Sequence, residues 1–169
     1  MNLLVLLGSL RADSLNARLT AAALTHLPEG IDATVYAGLA DLPFYSEDLD
    51  GATVPENVHR FRAAVADSDA VLVVTPEYNG SMSAVVKNAI DWASRPRGEA
   101  AIAGKPAAVL AASGSPRAAQ WAREDAIRVL RVAGAQPLED TVGIGSAWQA
   151  FGVDGALTDA ELNAAVRDL

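Results

Sequence analysis

Short apolar runs bounded by turn residues alternate along this chain with segments whose apolar positions recur every three or four residues. Leu3 to Leu7 is continuously apolar and ends at Gly8, which predicts a buried strand. Asn16 to Leu27 carries Leu19, Ala23 and Leu27 at helical spacing and is stopped by Pro28-Glu29-Gly30. Ile31 to Tyr36 alternates and predicts a second strand. Gly38 to Val54 is irregular and contains Pro43, Phe44 and Tyr45; a connection of that length inside a compact domain is usually functional. Pro55 to Ala66 predicts a helix with Val58, Phe61 and Val65 on one face. A third strand follows over Ala70 to Val74, then a helix over Ala84 to Ala93 and a small apolar fourth strand over Pro106 to Ala112. Arg117 to Val132 predicts a helix ended by Gly134, and Leu138 to Val142 a fifth strand. Thr158-x-x-Glu161 is a capping-box pattern that opens a last helix running to Asp168.

That order implies an α/β fold: a parallel sheet with right-handed crossovers and helices on both faces. Five strands suit the doubly wound order 2-1-3-4-5, whose switch point lies beside strands one and three. The 169 residues, 51% of them hydrophobic, read as one domain spanning 1–169.

Strands one and three both run into polar turns. After the first comes Gly8-Ser9-Leu10-Arg11-Ala12-Asp13-Ser14-Leu15-Asn16. Gly8 admits an unusual φ, Ser9, Ser14 and Asn16 bring short hydrogen-bonding side chains, and Arg11 brings a guanidinium fork suited to phosphate. The helix that follows turns its free N–H groups toward the same place. The plainer alternative is an ordinary loop in which Ser14 or Asn16 caps the helix. The turn is neither a P-loop nor a Gly-x-Gly-x-x-Gly motif. After strand three comes Thr75-Pro76-Glu77-Tyr78-Asn79-Gly80-Ser81. Pro76 ends the strand, Asn79-Gly80 forms a turn, and Tyr78 offers an aromatic wall for a flat heterocycle. Its plainer alternative is a tight surface loop with Ser81 or Ser83 capping the next helix. Two such turns on one sheet edge fit a phosphorylated ring ligand.

Charge and composition narrow the field. The net charge of −8 disfavours non-specific nucleic-acid binding. The absence of cysteine excludes a thiol nucleophile, a zinc–thiolate site and an iron–sulfur cluster. Redox chemistry would therefore need a bound cofactor. The opening apolar run is too short for a signal or membrane helix and has no basic segment before it, so a soluble cytoplasmic protein without membrane attachment is expected. His26 and His59 form no metal-ligand spacing, and Glu47, Asp48 and Asp50 read as a solvated acidic loop. Phe44 and Tyr45 border a cavity or pack the long connection, and nothing in the sequence separates core from site for Trp121 and Trp148.

The ordered set Gly8-Ser9-Leu10-Arg11 with Ser14 and Asn16, then Thr75-Pro76-Glu77-Tyr78-Asn79, then Lys87-Asn88-Ala89-Ile90-Asp91-Trp92, resembles the NADPH-dependent FMN reductase family of flavodoxin-like proteins, which includes quinone, chromate and azo reductases. Leu42-Pro43-Phe44-Tyr45 and Gly104-Lys105-Pro106 extend the resemblance over most of the chain. It implies non-covalent FMN, with Ser9, Arg11, Ser14 and Asn16 holding the phosphate. Pro76, Glu77, Tyr78, Asn79 and Ser81 would line the isoalloxazine, and Ser113 and Gly114 would approach it from the other side. It also implies that hydride passes from NADPH or NADH through FMN to a small-molecule acceptor, with no side-chain acid or base, in a homodimer or homotetramer. A flavodoxin-type electron carrier and a non-catalytic flavin-binding sensor are the alternatives. The chain departs from many relatives at Ser83, where they carry proline, and over Ser115 to Ala119, where they carry a glycine-richer loop.

Overall fold

The computed structural model describes residues 1–169. Strands β1 (Asn2–Leu7), β2 (Asp32–Val35), β3 (Ala70–Val74) and β6 (Pro106–Ala112) form the body of a parallel sheet, and helices α1 (Leu15–Leu24), α2 (Glu56–Asp67), α3 (Ala84–Ala93), α4 (Gln120–Val132) and α5 (Ala160–Asp168) cover it. A small hairpin of β4 (Glu77–Tyr78) and β5 (Ser81–Met82) stands outside the sheet, and β7 (Gln136–Pro137) and β8 (Val142–Ile144) complete its far edge. The order across the sheet is β2-β1-β3-β6-β7, with β8 also on β6. This is the expected doubly wound arrangement.

The continuous apolar runs are explained by burial on both faces. Alternate residues Leu4, Leu6, Val71, Val73 and Val109 join Phe61, Val65, Ile90, Trp92 and Leu130 on one side. Val5, Leu72, Val74 and Leu110 join Leu15, Leu19 and Val166 on the other. β3, α3 and β6 coincide with the ranges read from the sequence.

Elsewhere the local pattern is overruled. The expected fifth strand over Leu138 to Val142 is split: β7 pairs with the start of β6 and β8 with its end, while the exposed Glu139 and Asp140 lie between them. α4 begins at Gln120 rather than Arg117, because Ala118 and Ala119 adopt φ of 53° and 52° and cannot belong to a right-handed helix. α5 is capped by Asp159, which accepts from the amides of Glu161 and Leu162 at 2.9 and 3.0 Å; Thr158 bonds Ala150 instead. The long connection after β2 contains two 3₁₀ turns, Leu39–Asp41 and Glu47–Leu49. It is packed down where Trp92 Nε1 donates to Pro43 O at 2.7 Å and Tyr45 meets the Trp92 ring edge-on at 4.9 Å, whereas Phe44 stays exposed.

Candidate functional site at the carboxyl edge of the sheet

Because β1, β3 and β6 are parallel neighbours, the loops that follow them emerge side by side. Gly8 sits at the first exit. Its amide donates to Val74 O at 2.8 Å, and a Cβ there would lie 2.5 Å from Ser83 Oγ and 2.6 Å from Val86 Cγ2. Gly8 is thus required by close approach to the start of α3; its φ is not positive, so the conformational reason expected from the sequence is replaced by a steric one. The Ser83 hydroxyl accepts from Val86 N and is the cap of α3.

From Ser9 to Asn16 the backbone amides donate to no partner within the chain. They surround the positive end of α1, where Ser14 is the N-cap and accepts from Ala17 N at 3.1 Å. Arg11 is exposed beside them, with its guanidinium 5.7 Å from the centre of the Trp148 ring. Free amides, a helix N-terminus and a guanidinium make a donor set that matches a phosphate monoester.

The Asn16 side chain is buried and bonded to the backbone of one residue: Nδ2 donates to Ala112 O at 3.0 Å, and Oδ1 accepts from Ala112 N at 2.8 Å. That side chain thus ties the start of α1 to a residue 96 positions along the chain, while the backbone amide of Asn16 stays among the free donors of the loop.

The second turn closes as the β4–β5 hairpin, with φ of 53° at Asn79 and 77° at Gly80, the paired positive values of a two-residue hairpin turn. Thr75, fully buried, sets its exit: Oγ1 donates to Pro76 O at 2.9 Å and accepts from Ser83 N at 3.0 Å. Pro76 is buried, and Tyr78 and Asn79 are exposed. Glu77 and Ser81 both make contacts with α4. Glu77 Oε2 accepts from Ala122 N at 3.1 Å, and Ser81 Oγ donates to Asp125, so both face α4. These contacts dock the hairpin on that helix. Burial alone would push the Asp125 carboxyl up, but hydrogen bonds from Ser81 and Arg128 outweigh it and hold the group below the usual carboxylate range.

The third exit carries Ser113 and Gly114. Ser113 N donates to Ile144 O at 2.9 Å, Ser113 Oγ accepts from Ser115 N at 3.1 Å, and the Gly114 amide has no partner within the chain. A Cβ on Gly114 would lie 2.6 Å from Trp148 Nε1, so this glycine leaves room for the indole. Trp148 thereby joins Arg11 and Gly114 at the rim, a residue that no local pattern singled out. Trp121 does the same for the hairpin: its ring lies against Gly80, and the Arg117 guanidinium stacks 4.3 Å from its centre.

The edge therefore brings together Ser9, Arg11, Ser14, Asn16, Pro76, Tyr78, Asn79, Ser113 and Gly114, with Glu77 and Ser81 linking the hairpin to α4 and the Asn16 side chain linking α1 to β6. Comparisons with known proteins place the chain in a family. A family model described as NADPH-dependent FMN reductase matches residues 1–149. The chain is 40% identical over 153 residues to an NAD(P)H-dependent FMN reductase of Pseudomonas aeruginosa, covering 90% of this chain and 82% of that one. It is 44% identical over 113 residues to a 2-hydroxy-1,4-benzoquinone reductase of a Burkholderia species, covering 67% of this chain and 61% of that protein's length. The solved structure of FerB, a flavoenzyme NAD(P)H:(acceptor) oxidoreductase from Paracoccus denitrificans, superposes with a TM-score of 0.89 at 34% identity, covering 99% of this chain and 91% of that one.

Proposed function

The chain belongs to the NADPH-dependent FMN reductase family, and from that premise we propose that it binds FMN at the carboxyl edge and works as an NAD(P)H-dependent reductase of a small-molecule acceptor of the quinone class. The observation that carries this reading is the run of unpartnered amides from Ser9 to Asn16 at the N-terminus of α1, with Arg11 beside it. FMN would supply hydride chemistry, taking two electrons from a reduced nicotinamide and giving them to the acceptor. The chain's part is to bind and orient. The amides and Arg11 hold the phosphate, Ser9 and the Ser14 hydroxyl add short donors, and the Asn79 and Gly114 amides with the Tyr78 ring border the heterocycle. No side-chain acid or base is required.

The quinone reading rests on the named activities of relatives, one of which this chain spans for 61% of its length. Chromate, azo compounds and free flavin are other acceptors that reduced flavin could supply with electrons, the first two over more than one turnover. Self-association through the α3–α4 surface, where Val132 is exposed, and a cytoplasmic setting, where reduced nicotinamide nucleotides are supplied, belong to the same proposal.

Titration of the purified chain with FMN tests it. Flavin fluorescence should be quenched, and anaerobic NADPH or NADH should bleach the bound flavin. Steady nicotinamide oxidation with a quinone should follow, dependent on this protein alone. A chain that binds FMN but gives no such turnover is an electron carrier or sensor instead; one that ignores FMN refutes the proposal. Arg11→Ala should weaken FMN by about 1–3 kcal/mol, the scale of a charge-assisted hydrogen bond.

A further inference from the structure

The side-chain amide of Asn16 is placed where the sheet itself has a gap. Val74 pairs with Leu110, and Thr75 N still donates to Leu110 O at 3.1 Å. Two residues further along β6, the N–H and C=O of Ala112 face the same side, because groups two apart on a strand point alike. On that side β3 has already left the sheet: Pro76 is buried in the turn that leads into the β4–β5 hairpin. Ala112 would be left with an unpaired buried donor and acceptor. Asn16 supplies both partners, at 2.8 and 3.0 Å, and is itself 3% exposed. The choice of residue is narrow. Serine is too short, aspartate at neutral pH lacks the donor, and glutamine adds a methylene.

We propose that Asn16 is a positioning residue: it straps the first turn of α1, with the amide-rich loop before it, to the last residue of β6, and so sets the separation between the loop that holds a phosphate and the Ser113–Gly114 loop that borders a ring. The proposal rests on the FMN reading. It differs from a ligand role in one measurable respect. A phosphate ligand matters for FMN and not for riboflavin, which has no phosphate. A strap between the two loops matters for both.

The test compares FMN and riboflavin affinities, by quenching of flavin fluorescence, for the wild type, Asn16→Ala and Arg11→Ala. Asn16→Ala should weaken both flavins by the same factor, roughly tenfold for the loss of two buried hydrogen bonds, leaving their ratio as in the wild type. Arg11→Ala should weaken FMN alone. In the unliganded protein the Ala112 amide should exchange with deuterium faster in Asn16→Ala, while Leu110 keeps its protection. Loss of FMN affinity with riboflavin unchanged, or an Ala112 amide that exchanges as before, overturns the strap. Should Asn16→Ala fail to fold, Asn16→Leu fills the same volume, removes both bonds to Ala112 and adds no charge near the phosphate loop, and it should weaken both flavins equally. A wild-type chain that binds neither flavin overturns the FMN reading, and the positioning role with it, before any variant is compared.

Discussion

At the scale of single residues, the sharpest tension lies in two alanines. Ala118 and Ala119 adopt left-handed φ of 53° and 52°, a conformation that costs an L-residue with a Cβ about 1–2 kcal/mol. The segment tolerates it because its surroundings hold it. Arg123 Nε donates to Ala118 O at 3.1 Å, and Arg123 also reaches Thr141, while burial draws the guanidinium's pKa below its ordinary value. Glycine adopts this conformation freely but has more unfolded-state entropy to lose, roughly 0.5–1 kcal/mol. The difference favours Ala118→Gly, which should raise stability by about 0.5 kcal/mol in urea unfolding. Ala119 is fully buried with Ala111 and Ala122, and losing its methyl costs about 0.8 kcal/mol. Ala119→Gly should therefore be close to neutral. A loss of stability in Ala118→Gly would show that the left-handed turn is not strained. A sequence alone does not reveal this turn: alanine at these positions reads as helix.

Among the elements, the hairpin and α4 depend on each other. α4 begins after a left-handed alanine that has no side-chain oxygen to cap it, and Glu77 from the hairpin accepts from its Ala122 amide. Ser81 and Arg128 converge on Asp125 from the hairpin and from the helix. The folded Asp125 pKa lies below the ordinary aspartate value, so its stabilisation is fully present above the unfolded pKa of about 3.9 and is lost as pH falls through the lower folded value. Asp125→Asn should cost about 1–2 kcal/mol at pH 7. In urea melts at successive pH values, the gap to the wild type should close below about pH 4. A gap that persists at pH 2 would mean that the carboxylate charge contributes nothing. Neither contact was legible beforehand. Glu77 and Ser81 alternate along a polar turn like any solvated pair, and the partners lie 44 and 45 residues onward in a separate helix.

For the whole molecule, the two faces of the sheet are unequally covered. α2, α3 and α4 pack Phe61, Ile90, Trp92 and Leu130 against one side. The other is closed by α1 and by α5, whose only buried residue is Val166. α5 is further tied to the segment that follows α1 by a bond between His26 Nε2 and Asn163 Oδ1 at 2.9 Å. A helix held by so little apolar burial should open well below the global unfolding free energy. Native-state hydrogen exchange should show the α5 amides exchanging several kcal/mol more easily than those of β3. Equal protection would show that α5 unfolds only with the core.

The sequence by itself determined the alternation of strands and helices, the doubly wound order, and the two turns that share an edge. Each of these follows from local periodicity and from the few residues that stop a strand or start a helix. The limits of β3, α3 and β6 were readable for that reason, and so was the turn at Asn79-Gly80. Only the tertiary structure decided which polar groups at that edge are free to bind and which are already used. Asn16, Glu77 and Ser81 carry chemistry suited to a ligand, and the fold engages their side chains with backbone or side-chain atoms distant in the chain. Gly8 and Gly114 are required by neighbours remote in the chain, and Trp148 reaches the rim by packing alone. Periodicity records which way a residue faces within its own element; whether its hydrogen-bonding capacity is spent depends on what the fold brings opposite it.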